Sequence, residues 1–152
     1  MEKNTNERML SEHFSLSEFL KSGTAIRHGI ENVPTEADIR RMEALCRQVL
    51  EPLRRRFGVL RITSGFRCPE LNRKVGGVAN SQHLRGEAAD IHISDPEVAH
   101  KMMDFLVAKG IDFDQCILEY KRKKGTRWLH LSYNIERKNR REVIYPESAI
   151  RI

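Results

Sequence analysis

The chain has 152 residues, of which 39% are hydrophobic and 32% charged, and 27 Lys and Arg against 21 Asp and Glu give a net charge of +6. That length suits one domain with a real core and is short for two, and the hydrophobic share excludes a disordered chain. No run approaches eighteen apolar residues, which excludes a membrane-spanning helix, while three widely spaced cysteines without a C-x-x-C pair argue against a disulfide framework or a cysteine zinc site.

The amino terminus, residues 1–8, is polar and lacks an apolar signal core, so synthesis in the cytoplasm without an export signal is expected. Ser15-Leu16-Ser17-Glu18 has capping-box spacing and predicts a short helix to about Lys21, ended by Gly23. Residues 24 to 34 read as an irregular arm. Thr35 caps a long helix whose stripe is Ile39, Met42, Leu45, Cys46, Val49, Leu53 and Phe57, with Pro52 expected to kink it and Gly58 to end it. Leu60 to Ser64 alternates as a strand that delivers Gly65-Phe66-Arg67 at its end. Pro69 opens a short helix through Val75, and Asp95-Pro96 opens another with Val98, Ala99, Met102, Met103 and Leu106 inward. Phe113 to Tyr120 and Arg127 to Tyr133 read as strands around a turn, and Glu142 to Tyr145 as one more. These elements predict an α+β domain with helices packed against a mostly antiparallel sheet.

Two stretches carry chemistry. Asn80 to His92 places His83 and Asp90 seven residues apart with Gly86, Ala88 and Ala89 between them. A helix would separate them by two turns, about 10 Å, too far for one metal ion. A loop that runs into a strand can bring both to one point. Imidazole nitrogen and carboxylate oxygen form a partial zinc ligand set that needs a third protein ligand. The strand at Arg127 to Tyr133 puts Trp128, His130 and Ser132 on one face, which makes His130 the third candidate. His92, two residues after Asp90, is the substitute to weigh.

Ser64-Gly65-Phe66-Arg67, then Ser81-x-His83-x-x-Gly86-x-Ala88-x-Asp90, then Trp128-x-His130 resemble the signature of the zinc D-Ala-D-Ala carboxypeptidase family, which includes vancomycin-resistance dipeptidases and phage endolysin peptidases. The resemblance covers roughly residues 14 to 134 and is nearest to the short phage and prophage types. It sets the expected unit at 1–152, with a 14–134 core and extensions at 1–13 and 135–152. It implies a zinc metallopeptidase that hydrolyses D-amino-acid-containing peptide bonds of bacterial peptidoglycan. His83, Asp90 and His130 are the implied metal ligands, and Arg67 the implied oxyanion or carboxylate-binding cation. Ser81 and Trp128 are expected at the substrate, a peptidoglycan stem peptide. An enzyme of this kind would reach the wall after release or virion delivery. Which bond is cut, the host or phage role, and the oligomeric state stay open.

One position departs from that pattern. Many members of the family place the general-base carboxylate three residues before the last histidine, where this chain has Arg127. Either catalysis is lost, or another carboxylate serves. Glu119 is the first candidate: a two-residue turn at Lys124-Gly125 would pair position 119 with 130, and a four-residue turn keeps both on one face. Asp114 is the second. A non-catalytic zinc-containing wall-peptide module of the same fold is the alternative reading. The basic runs at 54–56, 121–124 and 137–141 fit a solvated surface, an anionic wall or nucleic acid. No aromatic residue interrupts them to stack on bases, which disfavours nucleic acid.

Overall fold

The computed structural model describes residues 8–145. Ser15 caps α1 (Leu16–Leu20): its hydroxyl accepts from the Glu18 amide, and its own amide donates to the Glu18 carboxylate at 2.9 Å. The expected irregular arm instead begins as a second helix, α2 (Gly23–His28). Ser22 caps it by accepting from the Ala25 amide at 3.1 Å, and Ala25 packs with Ile30 and Leu71. Cap and burial together outweigh the poor helix propensity of Gly23.

The long helix runs as α3 (Glu36–Leu45), a π-helical turn (Cys46–Leu50) and α4 (Glu51–Phe57). The chain meets Pro52 by widening the turn before it rather than by breaking. The Glu51 amide donates to Cys46 O, five residues back, just before the residue that has no amide hydrogen to give. Ile39, Met42, Leu45, Cys46, Val49 and Leu53 of the expected stripe are buried. Leu50 joins them.

Five strands form one sheet: β1 (Ile62–Ser64), β2 (Ala88–Ile93), β3 (Gln115–Lys121), β4 (Thr126–Ser132) and β5 (Glu142–Ile144), in the order β1-β2-β4-β3-β5. Between β1 and β2 lie α5 (Pro69–Lys74) and a 3-10 turn (Gln82–Arg85), and α6 (Pro96–Ala108) precedes β3. The fold is α+β as expected, but the sheet is mixed. β1–β2, β2–β4 and β3–β4 are antiparallel, and β3–β5 is parallel. After β4 the chain returns to the start of β3, where Arg141 and Glu142 amides bond Phe113 O and Asp114 O. It then has to run in the same direction as β3.

Side chains alternate across this sheet. Ala89, Ile91, Ile93, Cys116, Leu118, Leu129 and Leu131 face a core shared with Met42, Leu45, Val49, Met102, Met103 and Leu106 of the helices. The other face carries Asp90, His92, Glu119, Trp128 and His130. No helix among the described residues is long and apolar enough to cross a membrane.

Candidate active site

The end of β1, the 3-10 turn, β2 and β4 bring three side chains together on the open face. His83 is buried in the turn, which Ser81 caps by accepting from the His83 amide at 3.2 Å. Gly86 ends the turn with φ at 79°, a left-handed conformation that turns the chain into β2. Two bonds tie the turn to the end of β1: the Arg67 amide donates to His83 O at 3.0 Å, and His83 Nδ1 lies 2.6 Å from Gly65 O. Asp90 and His130 are direct partners across β2 and β4.

His83, Asp90 and His130 each offer a ligand atom, and these atoms lie within 4.8 Å of one another. His83 Nε2 is 3.4 Å from Asp90 Oδ2, and His130 Nδ1 is 3.0 Å from Asp90 Oδ1. Burial by itself would raise the Asp90 carboxyl. The hydrogen bonds from His130 and His83 outweigh it and hold Asp90 well below the usual carboxylate range. The Gly65 carbonyl can only accept, so His83 Nδ1 carries hydrogen. In neutral His83 the Nε2 lone pair then faces a carboxylate oxygen at 3.4 Å. Two electron-rich atoms at that separation call for a cation between them, a proton or a metal ion. Ligand atoms about 2.0–2.1 Å from a tetrahedral zinc are about 3.3 Å apart, so the donor set fits zinc in type and spacing. The carbonyl behind His83 is the kind of partner that fixes a ligating ring.

Arg67 stands beside this cluster, with Nη2 3.8 Å from Asp90 Oδ2. Its Nε donates to Ser64 Oγ at 3.2 Å and its Nη1 to Asn72 Oδ1 at 3.1 Å. Burial lowers its pKa, and the charges of Asp90 and Glu119 oppose that shift. Asn72 was not among the expected site residues. It is buried, donates to Val78 O at 2.9 Å and receives Arg67. A Cβ on Gly77 would lie 2.1 Å from Asn72 Oδ1 and 2.9 Å from Arg67 Nη1, so the glycine at 77 leaves room for this contact. No pattern in the sequence marks Asn72, because its burial and its contact with Arg67 arise only in the fold.

The hairpin closes with a four-residue loop, 122–125, so Lys121 pairs with Thr126 and Glu119 with Trp128. Glu119 is therefore one cross-strand row from His130, on the same face, and not directly opposite it. Trp128 Nε1 donates to Glu119 Oε2 at 3.1 Å. Arg127 lies on the other face, its guanidinium 4.5 Å above the Tyr120 ring. His92 is exposed and pairs with Ser94 Oγ at 3.1 Å, away from the three-residue cluster.

Asp114 is placed differently. It precedes β3, is fully buried, and accepts from Arg137, Arg140 and Gln82. Burial would raise its carboxyl, but the two guanidinium partners hold it far below the ordinary range. A carboxylate so fully engaged is a poor proton acceptor and a good structural anchor. Its folded-state pKa is depressed, so its contribution to stability is complete above the unfolded carboxylate range and fades as pH falls below about 4. Asp114→Asn is expected to lower unfolding stability by on the order of 3 kcal/mol near neutral pH. Thermal melts of both proteins across pH 7 to 3 check this. A gap that stayed constant over that range would show that the charge is not what stabilises.

Cys46 and Cys116 are buried, and burial pushes Cys116 up to about 12, so neither is a candidate nucleophile. A family model described as Peptidase M15 matches residues 12–132. No curated protein matches the chain.

Proposed function

Since the chain belongs to the Peptidase M15 family, whose members are metal-dependent peptidases, we propose that it is a zinc metallopeptidase that hydrolyses D-amino-acid-containing peptide bonds of peptidoglycan. The observation that carries this reading is the convergence of His83, Asp90 and His130, whose ligand atoms lie within 4.8 Å of one another, with His83 Nε2 3.4 Å from Asp90 Oδ2. These three residues would hold the metal. Zinc, when bound, supplies Lewis acidity that makes water nucleophilic near neutral pH.

The chain's own groups account for the rest. Glu119 accepts the proton of the attacking water, with Trp128 holding one carboxylate oxygen so that the other stays available. The Arg67 guanidinium is anchored through Nε and Nη1, which leaves Nη2 as the donor for the oxygen on which charge develops. Ser81 shapes the turn that carries His83, which puts its hydroxyl next to a metal ligand as a candidate contact for the peptide.

Elemental analysis should find one zinc per chain, and substitution of His83 by alanine should remove it. The same preparation should cleave a purified wall peptide. Zinc bound with no turnover on any wall peptide would favour the alternative, a wall-peptide-binding module. Absence of zinc after reconstitution would count against both.

A further inference from the structure

The open sheet face is organised in cross-strand rows. Asp90, His130 and Ile117 make one row; His92, Trp128 and Glu119 make the next; Thr126 and Lys121 make the third. Rows on one face are two residues apart, about 7 Å along the strands. Lys121 is thus on the face of Glu119, one row farther from the metal-ligand cluster. Arg122, Lys123 and Lys124 follow it at the hairpin tip, all exposed.

These four cations differ from several others near the sheet. Arg137 and Arg140 are paired with Asp114, and Arg41 and Arg85 with Glu136. Lys121, Arg122, Lys123 and Lys124 make no ion pair among the described residues, and no acidic residue occurs between 120 and 135. A surface with four unneutralised charges at one end of a reaction face creates a local positive potential. An extended peptide advances about 3.3–3.6 Å per residue. Lys121 is two rows, about 14 Å, from the Asp90–His130 row, so an extended peptide that follows the strand direction would bring a group about four residues from the cleaved bond level with Lys121.

From this placement we infer that Lys121 and the hairpin tip form a cationic subsite that selects acidic peptides, binding a carboxylate about four residues from the scissile bond. The inference rests on the peptidase reading above and names the substrate class for that same face. The subsite acts on binding, through charge, and takes no part in bond breaking. Each exposed charge contact is modest in water, so several must act together.

The test uses the whole zinc-loaded protein and two synthetic wall peptides, one with its side carboxyls free and one with them amidated. The variant is Lys121→Gln with Arg122→Gln, Lys123→Gln and Lys124→Gln. Its KM for the acidic peptide should rise about five- to tenfold, at least several times more than its KM for the amidated peptide. Raising the salt concentration should raise the wild-type KM for the acidic form in the same way. Lys101→Gln with Lys109→Gln removes two exposed charges from the α6 region, across the core, and should leave the ratio between the two peptides as in wild type. If the wild type cleaves both peptides with equal KM, or the fourfold variant changes both equally, the subsite is refuted while the peptidase reading stands. If the wild type cleaves neither, the peptidase reading fails and takes the subsite with it. Preferential binding of the tip to duplex DNA, with no discrimination between the peptides, would assign the charge to nucleic acid instead.

Discussion

Glu119→Gln is expected to lower hydrolysis of a wall peptide by roughly two to four powers of ten, with zinc content and melting temperature nearly unchanged. The amide keeps the shape of the carboxylate and can still accept from Trp128 Nε1, now at 3.1 Å. What it loses is the capacity to take a proton at the free oxygen. The separation of effects matters more than the size. A structural role would lower stability along with activity, and a ligand role would lower zinc content. Full activity in Glu119→Gln would exclude this residue as the base. Asp114 would be a poor replacement, because Arg137, Arg140 and Gln82 occupy its oxygens.

Arg67→Ala should cost about two to three powers of ten in kcat. Three contacts define this guanidinium: Ser64 Oγ, Asn72 Oδ1 and the nearby Asp90 carboxylate. The first two fix the plane of the head group, and Nη2 stays on the side of the metal-ligand cluster. Lysine at this position should not rescue activity, because an ammonium is a point charge and cannot satisfy Ser64 and Asn72 while presenting a third donor. Asn72→Ala gives the discriminating comparison. It should lower kcat through a misdirected Arg67 while the zinc remains bound. Loss of zinc in Arg67→Ala, to the same degree as loss of turnover, would mean that Arg67 serves the Asp90 carboxylate and not the substrate.

Local chemistry made much of this protein readable from residue order. The Ser15–Glu18 and Thr35 caps, the helical stripe from Ile39 to Leu53 and the alternation in β4 each depend on contacts within a few residues or on a simple period. Face parity is equally local. With a four-residue loop the register changes by two, so Glu119 keeps the face of His130 although its partner is Trp128. The grouping of His83, Asp90 and His130 was suggested by residue type and order; their meeting within 4.8 Å belongs to the folded sheet.

Other features were decided only by contacts between distant segments. Pro52 reads as a disturbance of the helix because its missing amide is a local fact; the form it takes, a π turn over Cys46–Leu50 with the residues on both sides packed on one core, belongs to the folded structure. Gly23 reads as a stop, yet Ser22 and the burial of Ala25 against Leu71 make it a start. The parallel β5 follows from a return path that bonds Arg141 and Glu142 to the residues before β3, a pairing no local pattern encodes. Asp114 is the sharpest case. Its acidity and its place on the expected strand of Glu119 made it eligible as a base, but arginines 23 and 26 residues downstream fold back onto it and engage its charge. A carboxylate's role depends on which cations reach it, and that is settled by tertiary structure because chain order sets neither their distance nor their access to water.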